Sequence, residues 1–212
     1  MSLPRILLLL MVMFAPLVQA QAPVYVGLID RLSGQVSAKS AAGNRFEPSA
    51  FSRLREGDEI TLAAGAEMQI VLFESRRREP WQGPASFRLR TAGGEVLTGK
   101  AAQAIDIKGA PSRVSLAAAG NVQRIGGLTL RSAPGRIPDD ATVAQAQADY
   151  AAWVASAEAD DILPELYMIG LLQERREPAL LKPYVEAMLK KQPEHADVRA
   201  LAERVTQQAR PR

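Results

Sequence analysis

Cysteine is absent from all 212 residues, and histidine occurs once, at His195. The first absence removes every site built on sulfur, whether thiolate nucleophile, iron–sulfur cluster, Cys-type zinc centre or disulfide. It also leaves no thiol to acylate, which excludes a lipid-anchored lipoprotein. The second leaves a Ser-His-Asp triad, a His-rich zinc site or a HExxH metalloprotease a single residue to be built around. That residue lies in Pro193-Glu194-His195-Ala196-Asp197, which reads as the turn before a helix, so a solvated or capping histidine is expected. An excess of one charge is lacking too: 26 Lys and Arg face 23 Asp and Glu, for a net charge of +3. So slight a balance supplies no stripe of uncompensated cations for a nucleic-acid backbone. Gly93-Gly94 and Gly126-Gly127 are not followed by the helix and lysine of a phosphate-cradling loop, so they read as turns and no cofactor is expected.

One long apolar run is present, and it opens the chain. Arg5 precedes it, Ile6 to Val18 is almost unbroken in apolar residues, and Val18-Gln19-Ala20 has the small-residue spacing that a signal peptidase reads. Residues 1–20 are therefore expected to be a cleaved leader and the protein to be exported, to the periplasm or, alternatively, beyond the cell. The run is short and ends at a cleavage site instead of a basic stop-transfer cluster, so no membrane span is expected after cleavage. Arg5 is the only charge lost with the leader, which lowers the net charge from +3 to +2. Hydrophobic residues make up 47% of the sequence, enough for apolar burial alone to hold the folded parts together.

From Val24 to about Leu89, short alternating apolar runs are cut by glycine and polar turns, the pattern of antiparallel strands. Gly57 and Asp58 suit a tight turn feeding a strand over Glu59 to Leu62. Met68, Ile70 and Leu72 share one face of a run apolar on both faces, which should be a central strand. Further strands are expected at Glu95-Val96-Leu97-Thr98, Ala104-Ile105-Asp106-Ile107, Arg113-Val114-Ser115-Leu116 and, as a pair, Val122 to Leu130, the first of them following a Gly93-Gly94 turn. Two prolines and a glycine mark residues 132–140 as a linker. Beyond it the period becomes helical. Helices are expected from Ala141 to Ala157 with Val143, Ala146, Tyr150, Trp153 and Val154 on one stripe, from Pro164 to about Arg175, from Pro178 to Lys191, and from Asp197. Pro183 is placed in or near the first turn of the third. The fold class expected is α+β by segregated domains: an antiparallel β sandwich or roll over 24–131 and α-helical hairpins over 141–209.

The block from Val26 to Leu89 resembles the FecR-like family of small all-β extracytoplasmic modules. The likeness rests on Gly27 and Leu28 with Gly34-Gln35-Val36, then Leu54-Arg55-Glu56-Gly57-Asp58-Glu59-Ile60, then Ile70-Val71-Leu72-Phe73, then Trp81-Gln82-Gly83-Pro84-Ala85-Ser86-Phe87-Arg88-Leu89. The resemblance implies a ligand- or protein-binding β module and carries no catalytic residues. The membrane span and cytoplasmic anti-sigma segment that accompany such a domain in iron-uptake regulators are not found, so the signalling role is not expected to carry over. Where the family has a tight turn after the apolar strand, this chain has Glu74-Ser75-Arg76-Arg77-Arg78-Glu79-Pro80, which reads as a longer, charged connection. The tail is similar to a tetratricopeptide-like hairpin in Leu180 to Glu194, where a basic helix end meets proline, acid and another helix. A single copy cannot form a solenoid, so a compact helical cap is expected, packed on itself or on the β domain.

Two constellations carry the functional expectation. Arg76, Arg77 and Arg78, with Arg88 and Arg90 on a neighbouring strand, form the densest basic cluster, and Trp81 lies beside them. They read as a recognition loop for an anionic partner, a protein or an envelope component, with Trp81 as aromatic anchor. The alternative is a solvated hairpin tip neutralised by Glu74 and Glu79, with Trp81 in the core. The acid pairs Asp58 with Glu59, Asp139 with Asp140 and Asp160 with Asp161 could serve a glycosidase, but each lies at a turn or helix start where acids cap backbone N–H groups. The function expected is thus an exported, non-enzymatic binding or scaffold protein of the cell envelope, its rival a carboxylate-dependent hydrolase of envelope polymer. Two acids converging in a cleft would favour the rival.

Overall fold

The computed structural model describes residues 24–109, 137–175 and 177–208. The expected leader, the strands expected at Arg113–Leu116 and Val122–Leu130, and the first part of the expected linker lie outside the described residues. Among the described residues ten strands come first: β1 (Tyr25–Ser33), β2 (Val36–Lys39), β3 (Arg45–Phe46), β4 (Arg53–Arg55), β5 (Glu59–Leu62), β6 (Glu67–Leu72), β7 (Arg77–Gln82), β8 (Ala85–Arg90), β9 (Gly93–Thr98) and β10 (Ile105–Asp106). Four helices follow: α1 (Asp140–Ser156), α2 (Leu163–Leu172) with a 3₁₀ turn over Gln173–Arg175, α3 (Pro178–Lys191) and α4 (Ala196–Gln208). The class is α+β with the two kinds of element segregated along the chain.

The strands form two antiparallel sheets of five, ordered β10-β7-β6-β1-β4 and β3-β2-β5-β8-β9. The period-2 pattern explains the stacking. Met68, Ile70 and Leu72 of β6, the central strand of its sheet, point between the sheets onto Ile60, Phe87 and Leu89 of the other. Trp81 stacks on Phe87 there, ring centroids 3.9 Å apart. The intervening residues of the first sheet face the other way. Leu28 and Val71, with Phe51, Phe73 and Ile107 from its turns and connections, share one continuous core with Trp153, Ile162, Leu166 and Ile169 of the helical part. The molecule is therefore three layers deep: helices, middle sheet, outer sheet. The expected choice between a tail packed on itself and one packed on the β domain resolves as both.

Helix α2 sits at the centre of the helical layer because it is apolar all round: nine of its ten residues are buried. It packs against α1 and α3, and α4 packs against α3. On α1, Ala146 and Trp153 are buried while Val154 is 37% exposed, which removes Val154 from the expected stripe. Pro183 lies inside α3, five residues after Pro178, and not in its first turn. Both Pro183 and Ala179, whose carbonyl loses its N–H partner, are on the exposed face, which leaves that group open to solvent.

The outer sheet turns a polar face to solvent. Ser37, Thr61, Ser86 and Thr98 stand opposite one another across β2, β5, β8 and β9, and so do Lys39, Glu59, Arg88 and Glu95. The second rank alternates in sign and is tied by Arg88 to Glu59 at 2.6 Å. Gly93 and Gly94, expected to be a turn, instead begin β9. The turn is Thr91-Ala92, and the glycines are needed one step later. A Cβ on Gly94 would lie 2.3 Å from the Trp81 ring and one on Gly93 2.4 Å from the Glu79 carboxylate.

Candidate functional site

A break in strand period builds the most concentrated polar site among the described residues. On β1, Ile29 faces Ile70 and Arg31 faces Gln69, so Asp30 is an extra residue, a β-bulge. The bulge aims both Asp30 and Arg31 at the helical layer. Across the seam, the α1–α2 connection presents Glu158, Asp160 and Asp161. Arg78 of β7 rises between the two sets: its Nη2 donates to Asp161 Oδ1 at 2.5 Å, and its Nε lies 3.5 Å from Asp30 Oδ2. All three side chains are at least 86% removed from solvent, with relative exposures of 14% for Arg78, 6% for Asp30 and 4% for Asp161. Asp161 Oδ1 also accepts the N–H of Leu163 at the start of α2. Beside this bridge Arg31 pairs with Asp160 at 3.1 Å.

Burial pushes the Asp30 carboxyl above its ordinary range, with Arg78 opposing and Asp161 reinforcing the shift. Burial alone would lower the Arg78 guanidinium, but Asp30 and Asp161 outweigh it, and the cation is held more firmly than usual. A cavity of about 120 Å³ opens on this cluster, lined by four carboxylates and two guanidinia with Gln69, Ile162 and Gln192. A second, of about 80 Å³, lies on the other side of Arg78 towards Ile107 and Lys108. Deeper in the helical layer Glu165 accepts from Tyr150 Oη at 3.0 Å and pairs with Lys191 at 2.8 Å, while Lys191 also donates to the Asp161 carbonyl. Burial, followed by the adjacent Glu165 charge, raises the Tyr150 phenol.

The residues singled out in the sequence are not brought together at one surface. The apolar strand is followed by a four-residue turn, Phe73–Arg76, and β7 already begins at Arg77, so the long charged connection is in fact a tight hairpin. Arg76 occupies the tip at φ 53°, exposed. Arg77 is exposed and pairs with Asp106 at 3.0 Å. Arg78 turns into the seam. Trp81, only 2% exposed, lies between the sheets with its indole N–H on Glu79 Oε2, which also accepts the Gly94 N–H. Alternation along β7 is the reason: Arg78 and Pro80 face the helices, Glu79 and Trp81 the sandwich interior. Arg88 and Arg90 belong to the outer sheet and pair with Glu59 and Glu95 on its solvent face.

Each acid pair has a local task. Asp58 accepts the Arg55 N–H, Asp139 caps α1 through the Thr142 N–H, and Asp161 holds the Leu163 N–H. Asp161 does more than cap, since it is also one arm of the bridge. Asp30 and Arg31 were missed. Their signal was legible in Leu28-Ile29-Asp30-Arg31-Leu32, where two charges separate Ile29 from Leu32, a spacing of three that strict alternation cannot place on one face. His195 lies in the α3–α4 turn, its N–H on the Gln192 carbonyl and its own carbonyl accepting from Arg199 N. Among the described residues no group of three or more acids or histidines could hold a metal ion, and no helix is long and apolar enough to cross a membrane.

Fold and seam together define a three-layer α+β protein whose helical part is locked to its β part by a buried arginine bridge. No family model, curated protein or solved structure matches the chain.

Proposed function

We propose that this is an exported, non-enzymatic binding or scaffold protein of the cell envelope, in which a FecR-like β module is fused to a helical layer that offers a second contact surface. The observation that carries the reading is the bridge. Asp30 and Asp161 do converge at a cavity, but Arg78 fills the space between them, and neither acid is free to move a proton or attack a sugar carbon. A carboxylate pair in a glycosidase needs room for the scissile bond, whereas a cavity of about 120 Å³ does not admit a polymer chain. The succession of the Gly57-Asp58 turn, β5 and the central strand β6 supports the family likeness. Localisation follows from the leader, with the periplasm the proposed destination.

The test is crosslinking and affinity capture of the whole protein in the intact envelope, with photoreactive residues at Val96 and Ser37 on the outer sheet. A defined set of crosslinked partners is expected. Release of soluble fragments from envelope polymer by the purified protein, abolished by Asp30→Asn, would transfer the site to the hydrolase reading.

A further inference from the structure

We infer that the cavity at the seam between the middle sheet and the helical layer is a binding site for a primary ammonium group, carried by a small free amine or by a lysine side chain. The inference rests on the binding role proposed above and names the ligand chemistry.

The floor of the cavity holds a carboxylate without a hydrogen bond. Asp30 lines the cavity with its side chain 6% exposed, yet among the described residues no N–H or O–H donates to its oxygens. Its closest cation, Arg78, stands 3.5 Å away through Nε, and that Nε has no hydrogen-bond partner either. The guanidinium is held instead by Asp161, through Nη2. A buried carboxylate ordinarily accepts hydrogen bonds at both oxygens, so Asp30 keeps acceptor capacity on the cavity side. Burial pushes its carboxyl above the ordinary range, and a cation beside it would bring it back.

Charge sets the sign of the ligand. Four carboxylates, Asp30, Glu158, Asp160 and Asp161, face two guanidinia, Arg31 and Arg78, which leaves −2, or −1 when Asp30 holds a proton. Arg31 is committed to Asp160 and Arg78 to Asp161. The excess therefore rests on Asp30 and on Glu158, which is exposed and has no ion pair of its own among the described residues.

Geometry then selects among cations. A metal ion needs oxygens drawn together at about 2.0–2.6 Å, and among the described residues no three acids are so grouped. An ammonium accepts wider spacing, because each of its three N–H groups adds a hydrogen-bond length of its own. Three acceptors from three segments remain for it: Asp30 on β1, Glu158 in the α1–α2 connection, and Gln192 after α3. The Gln192 amide nitrogen already donates to the Asp160 carbonyl, so its oxygen is left to accept. A cavity of about 120 Å³ has room for several waters, hence for an ammonium head and a short alkyl stem.

The test uses the whole protein in about 0.15 M salt, titrated with butylammonium, Nα-acetyl-lysine amide, tetramethylammonium and butanol. Calorimetry reads affinity, and the Nε–H magnetic resonance signals of Arg31 and Arg78 read position. Butylammonium should bind saturably and shift the Arg78 signal. Tetramethylammonium, which has the charge but no N–H, and butanol, which has no charge, should do neither. Asp30→Asn should weaken binding about tenfold. Glu158→Gln, an exposed change that leaves folding intact, should weaken it about threefold, and Glu95→Gln on the outer sheet should leave it unaltered. Binding of acetyl-lysine amide as tight as that of butylammonium assigns the ligand to a partner's lysine, and binding of butylammonium alone assigns it to a free amine. No saturable amine binding, binding insensitive to both Asp30→Asn and Glu158→Gln, or equal binding of tetramethylammonium overturns the site. Defined crosslinked partners with no amine bound would sink the cavity assignment alone. Fragments released from envelope polymer, with the amine still bound, would sink the non-enzymatic reading alone.

Discussion

Arg78 and Asp161 stand 83 positions apart in the chain and meet at 2.5 Å across the seam between the middle sheet and the helical layer. Asp30, delivered by the bulge in β1, completes the pair into a bridge. A buried arginine between two carboxylates holds the layers in one relative position, because any slide of the helices would leave at least one charge desolvated and unpaired.

The bridge is therefore expected to dominate local stability. Arg78→Met should cost about 3–5 kcal/mol, because it strands two buried carboxylates. Adding Asp30→Asn to Arg78→Met should recover part of that loss. Urea denaturation of the two single variants and the double variant gives the coupling directly. Additive effects would mean that Arg78 and Asp30 do not interact.

Acidification should act on Asp30 in a defined direction. Burial raises its folded pKa above the unfolded value, so the folded state holds the proton more tightly. The stability linked to this group is fully present below the unfolded pKa and is lost as pH rises through the folded one. Asp30→Asn keeps the neutral form at every pH. Its stability relative to the native sequence should then be highest near pH 7 and decline as pH falls towards the ordinary carboxylate range, measured by denaturation at several pH values. A constant difference would count against the assignment.

The arginine run should separate into its members. Arg76→Ser with Arg77→Ser should change stability by no more than about 0.5 kcal/mol, since both are exposed. Including Arg78→Ser should bring the fall of several kcal/mol described above. Arg76→Gly should stabilise by about 0.5–1 kcal/mol, because glycine accepts the left-handed backbone at φ 53° without a Cβ penalty. Thermal melts of the series distinguish these outcomes.

Inside the sandwich, Gly94→Ala should destabilise by about 1–3 kcal/mol, since its Cβ would lie 2.3 Å from the Trp81 ring and the interior has no slack. Near-ultraviolet circular dichroism should report the displaced indole. An unperturbed tryptophan signal would show that the ring moves aside freely.

Residues 24–109 expressed alone should not reach the native state. Without the helices, Leu28, Val71, Phe73 and Phe51 of the shared core lie open to water. Dye binding and aggregation are the expected readouts. A soluble, cooperatively melting fragment would show that the β part is an independent domain.

Much of the architecture was legible in the sequence because it is written in period. Alternation in Met68-Gln69-Ile70-Val71-Leu72 marked a central strand, and that strand proved central; the apolar α2 and the Asp139 cap were readable for similar reasons. The site was less legible because the members of its bridge come from three separate segments and meet only through the stacking of layers. Arg78 looked like one of three equivalent charges, yet strand parity distinguishes it: Arg77 ends the hairpin in solvent while Arg78 points at the seam. Trp81 was readable as an anchor or as core, and the hairpin that places it inside depended on a turn one residue earlier than the charges suggested. Asp30 needed the bulge, whose only trace is the misplaced spacing between Ile29 and Leu32.

That bulge has an arithmetical consequence. A strand that keeps strict parity can serve one layer with its even residues and another with its odd ones, but it cannot change allegiance partway. By inserting a single residue, β1 resets its count: Ile29 serves the sandwich before the insertion and Leu32 after it, and the two residues between them are released together to the helices. Deleting Asp30 would thus do more than remove a charge. It would restore parity with Leu32 still opposite Met68 and Arg31 alone between Ile29 and Leu32, so the strand would keep its pairing and send one side chain across the seam where it now sends two.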